Sequence, residues 1–378
     1  MTSRDDNPLR RLPAVDRLLE DPRTAELADG LPRRIVVDAL RRTLDDTRRQ
    51  LLASPETAPD DQALGQMIFD RLAHEVDHAA RCHYRKAVNA TGIILHTGLG
   101  RAVLPRQAID QIERELTGYS VLQLSPETGK RSRRDQRIEW LLQQLTGAEA
   151  ATVVNNNSAA TAIVLNTVAS GREVIVSRGQ LVEIGGSFRL PDVMRTSGAR
   201  MVEVGCTNKT HLRDYAEAIN ENTTAILRVH PSNYQITGFS QEVPLAPLVE
   251  LARKHNLVMI DDVGAGALVD MSAYGFEKEP TLPESIATGA DLTVSSADKL
   301  IGASQGGIIL GRADLVEAVR KNPWARIVRV GKLTLATLEA TLMLFLDEQD
   351  ALQHVPTLRM VQRSLDELTA CAEQLAKR

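Results

Sequence analysis

The sequence predicts an α/β protein with a mostly parallel sheet, preceded by a small helical domain. From about residue 86 to 330, short apolar runs alternate with helical segments, which is typical of repeated strand–helix units. Residues 1–85 instead are rich in arginine and carry leucines at helical spacing. The 378 residues are 43% hydrophobic and 25% charged, values usual for a globular protein of two or three domains.

Composition also excludes several classes of protein. The three cysteines lie far apart without a CxxC pair, which argues against a disulfide framework and a thiolate zinc site. No apolar run reaches the length of a membrane span, and the N-terminus lacks the apolar run of a secretion signal, so we expect a cytoplasmic protein without a membrane partner. With a net charge of −4, a nucleic-acid partner would need a local basic surface.

The helical N-terminal domain is expected over residues 1–85, with a loop at ASPETAPDD (53–61). Its acids are nearly as numerous as its arginines, so a solvated domain with paired charges remains the alternative to a nucleic-acid-binding module. The stretch HEVDH (74–78) matches the spacing of zinc proteases. It has no distinguishable third ligand, so we interpret it as a chance match and expect no metal.

The α/β domain is expected over residues 86–330, followed by a helical C-terminal region over 331–378. Strands are predicted at 151–154, 173–177, 200–204, 224–229, 257–261, 292–296 and 307–310. Helices are predicted at 158–168, 211–220, 245–255, 333–346 and 363–378. Ligands of parallel sheets bind at the carboxyl ends of the strands, so polar residues just after a strand are the candidates for a site.

The segment DLTVSSADKLIGASQGGIIL (291–310) places Lys299 just after an apolar strand. A lysine held in a cleft there loses solvation, which lowers its pKa and leaves a neutral amine for Schiff-base chemistry. The alternative is an ordinary exposed loop charge.

A second apolar strand, in LVMIDDVGAGALVD (257–270), ends in Asp261 and Asp262. Pyridoxal phosphate needs a carboxylate facing its ring nitrogen, and an aspartate at a strand end suits that role. The competing reading is a dinucleotide site at Gly264 and Gly266, but the third glycine of that fingerprint is missing and the segment lies too late in the chain.

A third strand runs directly into Asn155, Asn156, Asn157, Ser158 and a helix. Amide and hydroxyl donors at a helix N-terminus make a phosphate cradle, with ordinary N-capping as the alternative. Cradle, aspartate and lysine in this chain order are characteristic of fold-type-I pyridoxal phosphate enzymes.

The sequence resembles the bacterial selenocysteine synthases, the L-seryl-tRNA(Sec) selenium transferases, which are aspartate aminotransferase-like enzymes of fold type I. The similarity runs through RRLPAVDRLL (10–19), VNATGIILHTGLGRAVL (88–104), GYSVLQLSPETGKRSRRDQRIEWLLQQLTGAEAATVVNNNSAA (118–160), VHPSNYQITGF (229–239), DDVGAGALVD (261–270), SSADKLIGASQGGII (295–309) and NPWARIVRVGKLTLATLEATL (322–342). It covers almost the whole chain.

The resemblance implies that Lys299 forms a Schiff base with pyridoxal 5'-phosphate and that Asp262 pairs with the pyridine nitrogen, with Asp261 as the alternative. It implies that Asp298 assists the chemistry beside the lysine. Further cofactor contacts are expected from Asn156, Asn157, Ser158, His230 and Ser232.

The same resemblance assigns the binding of selenophosphate to Arg101, Arg326 and Arg329. Several guanidinium groups suit a small phosphate-like anion because each presents forked donors. Arg326 and Arg329 would share one side if their segment is helical. The alternative for them is a solvated basic face.

The implied reaction converts seryl-tRNA(Sec) into selenocysteinyl-tRNA(Sec) by β-elimination and addition of selenium. The N-terminal domain would bind the tRNA, and a homo-oligomer, a ring of dimers, is expected. Family members continue into a small C-terminal domain, so a chain ending at Arg378 is expected to be a fragment or a shortened paralogue. Two alternatives remain: a pyridoxal phosphate lyase acting on a small amino acid or amino sugar acid, and a non-catalytic tRNA-binding paralogue.

Overall fold

The computed structural model describes residues 8–186 and 188–377. The chain divides between residues 88 and 89 into two compact units, each described by itself. Among the described residues, none of the helices combines the length and the hydropathy that crossing a bilayer requires. The three-domain division expected from the sequence stays a prediction.

The first unit is helical. After a 3-10 turn at Pro8–Arg11 come α1 (Val15–Leu19), α2 (Pro22–Leu27), α3 (Arg33–Ala53) and α4 (Asp61–Ala80). Leu40 and Leu51 of α3 pack with Ile68 and Leu72 of α4 in one core, since apolar residues three or four apart share a helix face. Between the two long helices, the expected loop contains a 3-10 turn at Pro55–Thr57.

Several arginines of this unit are paired with acids on its surface. The guanidinium of Arg42 lies 2.7 Å from the Glu75 carboxylate, and that of Arg48 lies 2.6 Å from Asp45. His74 and His78 of the HEVDH stretch lie on α4. Among the described residues, there is no cluster of three or more His, Cys, Asp or Glu side chains that could hold a metal ion. Binding of tRNA by this unit stays a prediction.

The second unit alternates strands and helices. Its elements are α5 (Arg106–Glu115), α6 (Gln136–Thr146), β1 (Ala150–Val154), α7 (Asn157–Ala169), β2 (Glu173–Ser177), β3 (Glu183–Ile184), β4 (Phe188–Arg189), α8 (Leu190–Ser197), β5 (Arg200–Val204), α9 (Leu212–Ala218), β6 (Thr223–Val229), α10 (Leu245–Lys254), β7 (Val258–Gly264), α11 (Leu282–Thr288), β8 (Leu292–Ser296), β9 (Gly307–Gly311), α12 (Ala313–Lys321), α13 (Trp324–Ile327), α14 (Lys332–Leu344), α15 (Glu348–His354), α16 (Pro356–Val361) and α17 (Leu365–Ala376).

Seven of these strands form one sheet in the order β1-β9-β8-β7-β6-β2-β5. The pairs from β8 through β7, β6 and β2 to β5 are parallel, whereas β9 is antiparallel to both β1 and β8. Separate apolar cores lie around α6 and α14, around α7 and α8, and around α10, so helices cover both faces. The predicted mostly parallel α/β fold is confirmed.

Strand β7 is longer than the sequence predicts. The apolar run ends before Asp261, yet the strand continues to Gly264 with both aspartates inside it, 0% and 3% exposed. Asp262 pairs in register with Val229 of β6 and Val294 of β8, so the carboxyl ends of three neighbouring strands meet around it. This edge is where a parallel sheet binds its ligands.

Candidate active site

Lys299 lies on a hydrogen-bonded loop, three residues beyond the end of β8. The N–H of Leu300 donates to the Ala265 oxygen at 3.1 Å, and that of Gly302 donates to the Lys299 oxygen at 3.0 Å. Gly266 makes the close approach possible: its φ is +74°, and a Cβ there would lie 2.4 Å from the Ser296 oxygen. The loop therefore fixes Lys299 relative to the sheet edge.

Lys299 lines a cavity of about 540 Å³ together with Thr97, Arg101 and Ser232. The side chain is partly buried, and this loss of solvation is the main reason that its pKa lies below the ordinary value of 10.5. Arg101 lowers the pKa further, whereas Asp262, Asp298 and Glu279 oppose the shift. The amine is thus easier to deprotonate than that of an exposed loop lysine.

The two aspartates of β7 have different partners. Asp261 accepts a hydrogen bond from the Arg228 guanidinium at 2.8 Å and one from the Ser285 hydroxyl at 2.7 Å. Asp262 accepts from the Asn157 amide at 2.9 Å and the Thr161 hydroxyl at 3.0 Å, both neutral groups. Asp262 is therefore the carboxylate without a bonded cation, which favours it over Asp261 as the partner of a cationic ring.

Burial raises the pKa of Asp262, and the hydrogen bonds from Asn157 and Thr161 oppose the rise. Lys299 is close enough to lower that pKa electrostatically, so the structure brings these two predicted residues together. The oxygen of the same Asn157 amide, Oδ1, is buried without a hydrogen-bond partner among the described residues. Such an atom points to a polar group that completes the site.

The predicted phosphate cradle is the first turn of α7. Asn156 is its N-cap, and its side-chain oxygen accepts the Ala159 N–H at 2.8 Å, so this side chain has the capping role of the alternative interpretation. Asn157 faces Asp262 rather than the helix end. The first-turn backbone N–H groups and the Ser158 hydroxyl are the remaining donors that could hold an anion.

Arg101 and Asp298 form an ion pair beside the lysine. Their side chains are 2.8 Å apart, and that of Asp298 is only 10% exposed. Arg101 adopts a left-handed φ of +60°, and its N–H donates to the His96 oxygen at 3.0 Å, which closes a tight loop. The sequence predicts these two residues separately, and the structure shows that they bind each other.

The other two predicted arginines lie elsewhere. The helix α13 contains Arg326 but ends at Ile327, so the condition under which Arg326 and Arg329 would share one helical side is not met; Arg329 instead pairs its backbone with Val154 of β1. Within the described part of the chain, neither lines the Lys299 cavity. Burial and the nearby charges of Arg329 and Arg326 lower the pKa of Arg134, a residue of the GKRSRR motif to which sequence reasoning assigned no role.

His230 and Ser232 follow β6 at the same edge. The backbone N–H of His230 donates to the backbone carbonyl oxygen of Asp262 at 2.9 Å, which joins the ends of β6 and β7. The imidazole Nε2 lies 2.7 Å from a carboxylate oxygen of Glu279. Sequence reasoning missed Glu279 because nothing distinguishes it from the neighbouring charges of FEKEP (276–280).

One solved structure and two family models show which proteins this chain is similar to. The solved D-glucosaminate-6-phosphate ammonia-lyase matches with a TM-score of 0.53 and 24% identity over 65% of this chain and 64% of that one, which shows a common fold. The family model for L-seryl-tRNA selenium transferase matches residues 87–378, and the model for the selenocysteine synthase N-terminal region matches residues 9–48.

Curated relatives agree with the family models. The L-seryl-tRNA(Sec) selenium transferase of Alkaliphilus metalliredigens is 45% identical over 98% of this chain and 79% of its own length. That of Desulfomicrobium baculatum is 46% identical, again over 98% of this chain and 79% of its own length. With a family model matching most of the sequence and relatives this similar along nearly all of it, the chain belongs to the L-seryl-tRNA(Sec) selenium transferase family.

Proposed function

We propose that this chain is a selenocysteine synthase that converts L-seryl-tRNA(Sec) into L-selenocysteinyl-tRNA(Sec) with pyridoxal 5'-phosphate as cofactor and selenophosphate as selenium donor. The family match along 98% of the chain supports the reaction. The observation in the structure that carries it is the partly buried Lys299 amine, whose pKa is lowered, electrostatically coupled to the buried Asp262.

The residues present fit the cofactor. Asn157 Oδ1 is buried without a hydrogen-bond partner among the described residues, and the buried Asp262 carboxylate is hydrogen-bonded only to neutral groups, so a pyridinium N–H would give it a cationic partner. When bound, pyridoxal phosphate supplies an aromatic ring that withdraws electrons from Cα of an attached amino acid. The groups proposed to hold it are Lys299 for the aldehyde carbon, Asp262 for the ring nitrogen, the N-terminus of α7 with Asn156, Asn157 and Ser158, and the neighbouring His230 and Ser232.

The amine of Lys299 would act as the general base. Because its lowered pKa makes the neutral form more available, the released amine can take the proton from Cα of the seryl group. Asp298 accepts a hydrogen bond from Arg101 and lies beside the lysine, where its carboxyl group in the protonated form would give a proton to the departing β-hydroxyl, which leaves as water. An anion bound by Arg101 would compete with Asp298 for the guanidinium and so free that carboxylate.

Selenophosphate would be held by Arg101, with Arg326 and Arg329 as further donors. Since Arg326 and Arg329 lie outside the Lys299 cavity of this chain, the proposal requires a movement of these residues or a contribution from a second subunit. A dimer-based ring stays a prediction, as do the cytoplasmic location and recognition of tRNA by residues 1–85.

The direct test is to incubate the purified chain with seryl-tRNA(Sec) and selenophosphate labelled with radioactive selenium. We expect label in the amino acid released from the tRNA, and none with Lys299→Met. Failure of a cofactor-loaded wild-type protein to transfer selenium would overturn the proposal. The lyase alternative has only a shared fold in its favour, since the ammonia-lyase match is 24% identical.

A further inference from the structure

We infer that Glu279, which lines the Lys299 cavity, is a positioning residue that holds the His230 imidazole in the adjacent polar cavity and thereby strengthens cofactor binding. The inference rests on the proposed function, because it concerns the pyridoxal phosphate site. It assigns a role to a residue outside every motif identified in the sequence.

The backbone of His230 is already fixed. His230 follows the last residue of β6, and its backbone N–H donates to the backbone carbonyl oxygen of Asp262 at 2.9 Å. Its Cα therefore has a fixed position beside the residue proposed to pair with the pyridine ring. Only the side-chain torsions remain free, and the torsion about the Cβ–Cγ bond, which turns the imidazole ring, covers a broad range of angles when nothing holds the ring. A partner for a ring nitrogen therefore decides where the ring lies.

Glu279 is that partner. Its Oε2 lies 2.7 Å from His230 Nε2, and the two side chains are 38% and 20% exposed. The hydrogen bond to His230 is the main cause that lowers the pKa of Glu279, so the carboxylate accepts and Nε2–H donates. One tautomer and one ring orientation are thus selected.

The other charges of this loop are engaged elsewhere. Lys278 binds Glu284 at 2.6 Å, and Glu277 accepts from the Gln235 amide at 3.5 Å. Glu279 lines both the Lys299 cavity and a neighbouring polar cavity of about 550 Å³, which His230 also lines. Of the acids in this loop, Glu279 is the one bonded to a proposed cofactor residue.

A competing role is a direct effect of the Glu279 charge on Lys299, whose pKa it raises. A double-mutant cycle separates the two roles because His230→Phe keeps an aromatic ring but removes the nitrogen that Glu279 binds. The readout is the dissociation constant of pyridoxal phosphate, measured by absorbance titration of the apoprotein. Glu277→Gln is the matched control, since it removes a charge from the same loop and the same cavities without touching His230.

We expect Glu279→Ala to weaken cofactor binding about tenfold, the usual effect of losing a hydrogen bond to a charged group. Glu279→Gln, whose amide oxygen still accepts, should weaken it about threefold or less, and Glu277→Gln should leave it unchanged. In the His230→Phe background, adding Glu279→Ala should cost less than about twofold.

An equal cost of Glu279→Ala in both backgrounds, or no cost in either, would overturn the inference while leaving the proposed function intact. So would a Glu277→Gln variant that binds the cofactor as weakly as Glu279→Ala. A wild-type protein that binds no pyridoxal phosphate, or binds it equally well without Lys299, would overturn the proposed function and this inference with it.

Discussion

The lowered pKa of Lys299 makes the stability of the cofactor-free protein depend on pH in a defined direction. A lysine in the unfolded chain has a pKa of about 10.4, whereas burial lowers the pKa of Lys299 in the folded protein. Between the two values the unfolded state binds more protons, so the free energy of unfolding rises with pH through that window. Below the window the protonated amine costs about 1.4 kcal/mol for each unit of pKa difference.

Lys299→Met removes this contribution while keeping an unbranched side chain of similar length. Compared with the wild-type apoprotein, the variant should be more stable near about pH 7, and its advantage should decline towards about pH 10.4, where the unfolded lysine loses its proton. Denaturant unfolding followed by circular dichroism at a series of pH values measures the difference. A difference that is independent of pH, or one that grows as pH rises, would refute a desolvated amine at residue 299.

Three further predictions concern single substitutions. Asp262→Asn should abolish cofactor binding, measured by titration, while leaving the apoprotein folded. Asp261→Ala removes the carboxylate that pairs with the partly buried Arg228 and should destabilise folding by about 3 kcal/mol, measured by denaturant unfolding. Gly266→Ala should lower both stability and cofactor occupancy, because its Cβ would clash at 2.4 Å, whereas Gly275→Ala, also at positive φ but in open space, should cost far less. Arg326→Ala should raise KM for selenophosphate and leave the cofactor spectrum unchanged; a spectral change would place Arg326 in the cofactor site instead.

The sheet was predictable because buried parallel strands are continuous apolar runs. The predicted bounds of the buried strands β2 and β8 agree with the structure, as do those of the more exposed edge strand β5. The end of β7 was not predictable, since its two carboxylates are stabilised by Arg228 and Thr161, which are distant in sequence. The two-residue strands β3 and β4 are too short to produce a pattern.

In the candidate site too, the residues placed by the sheet were predictable from the sequence, whereas the contacts between separate loops were not. Lys299 follows the strand β8 and Asp262 lies near the carboxyl end of the adjacent strand β7, so their shared edge follows from the topology of a parallel sheet. The pairs Arg101–Asp298 and His230–Glu279 join residues on separate loops, 197 and 49 positions apart in sequence, and nothing local encodes such pairing. Where Arg326 and Arg329 lie depended on the end of α13, and helix ends are poorly marked when no capping side chain is present.

The attachment point of the cofactor decides whether Lys299 is the residue that binds it. The protein would be saturated with pyridoxal phosphate, reduced with borohydride to make any Schiff base permanent, digested, and mapped by mass spectrometry. We expect a pyridoxyl label on the peptide that contains Lys299, at that side chain. A label on another lysine, or none on any peptide, would contradict it.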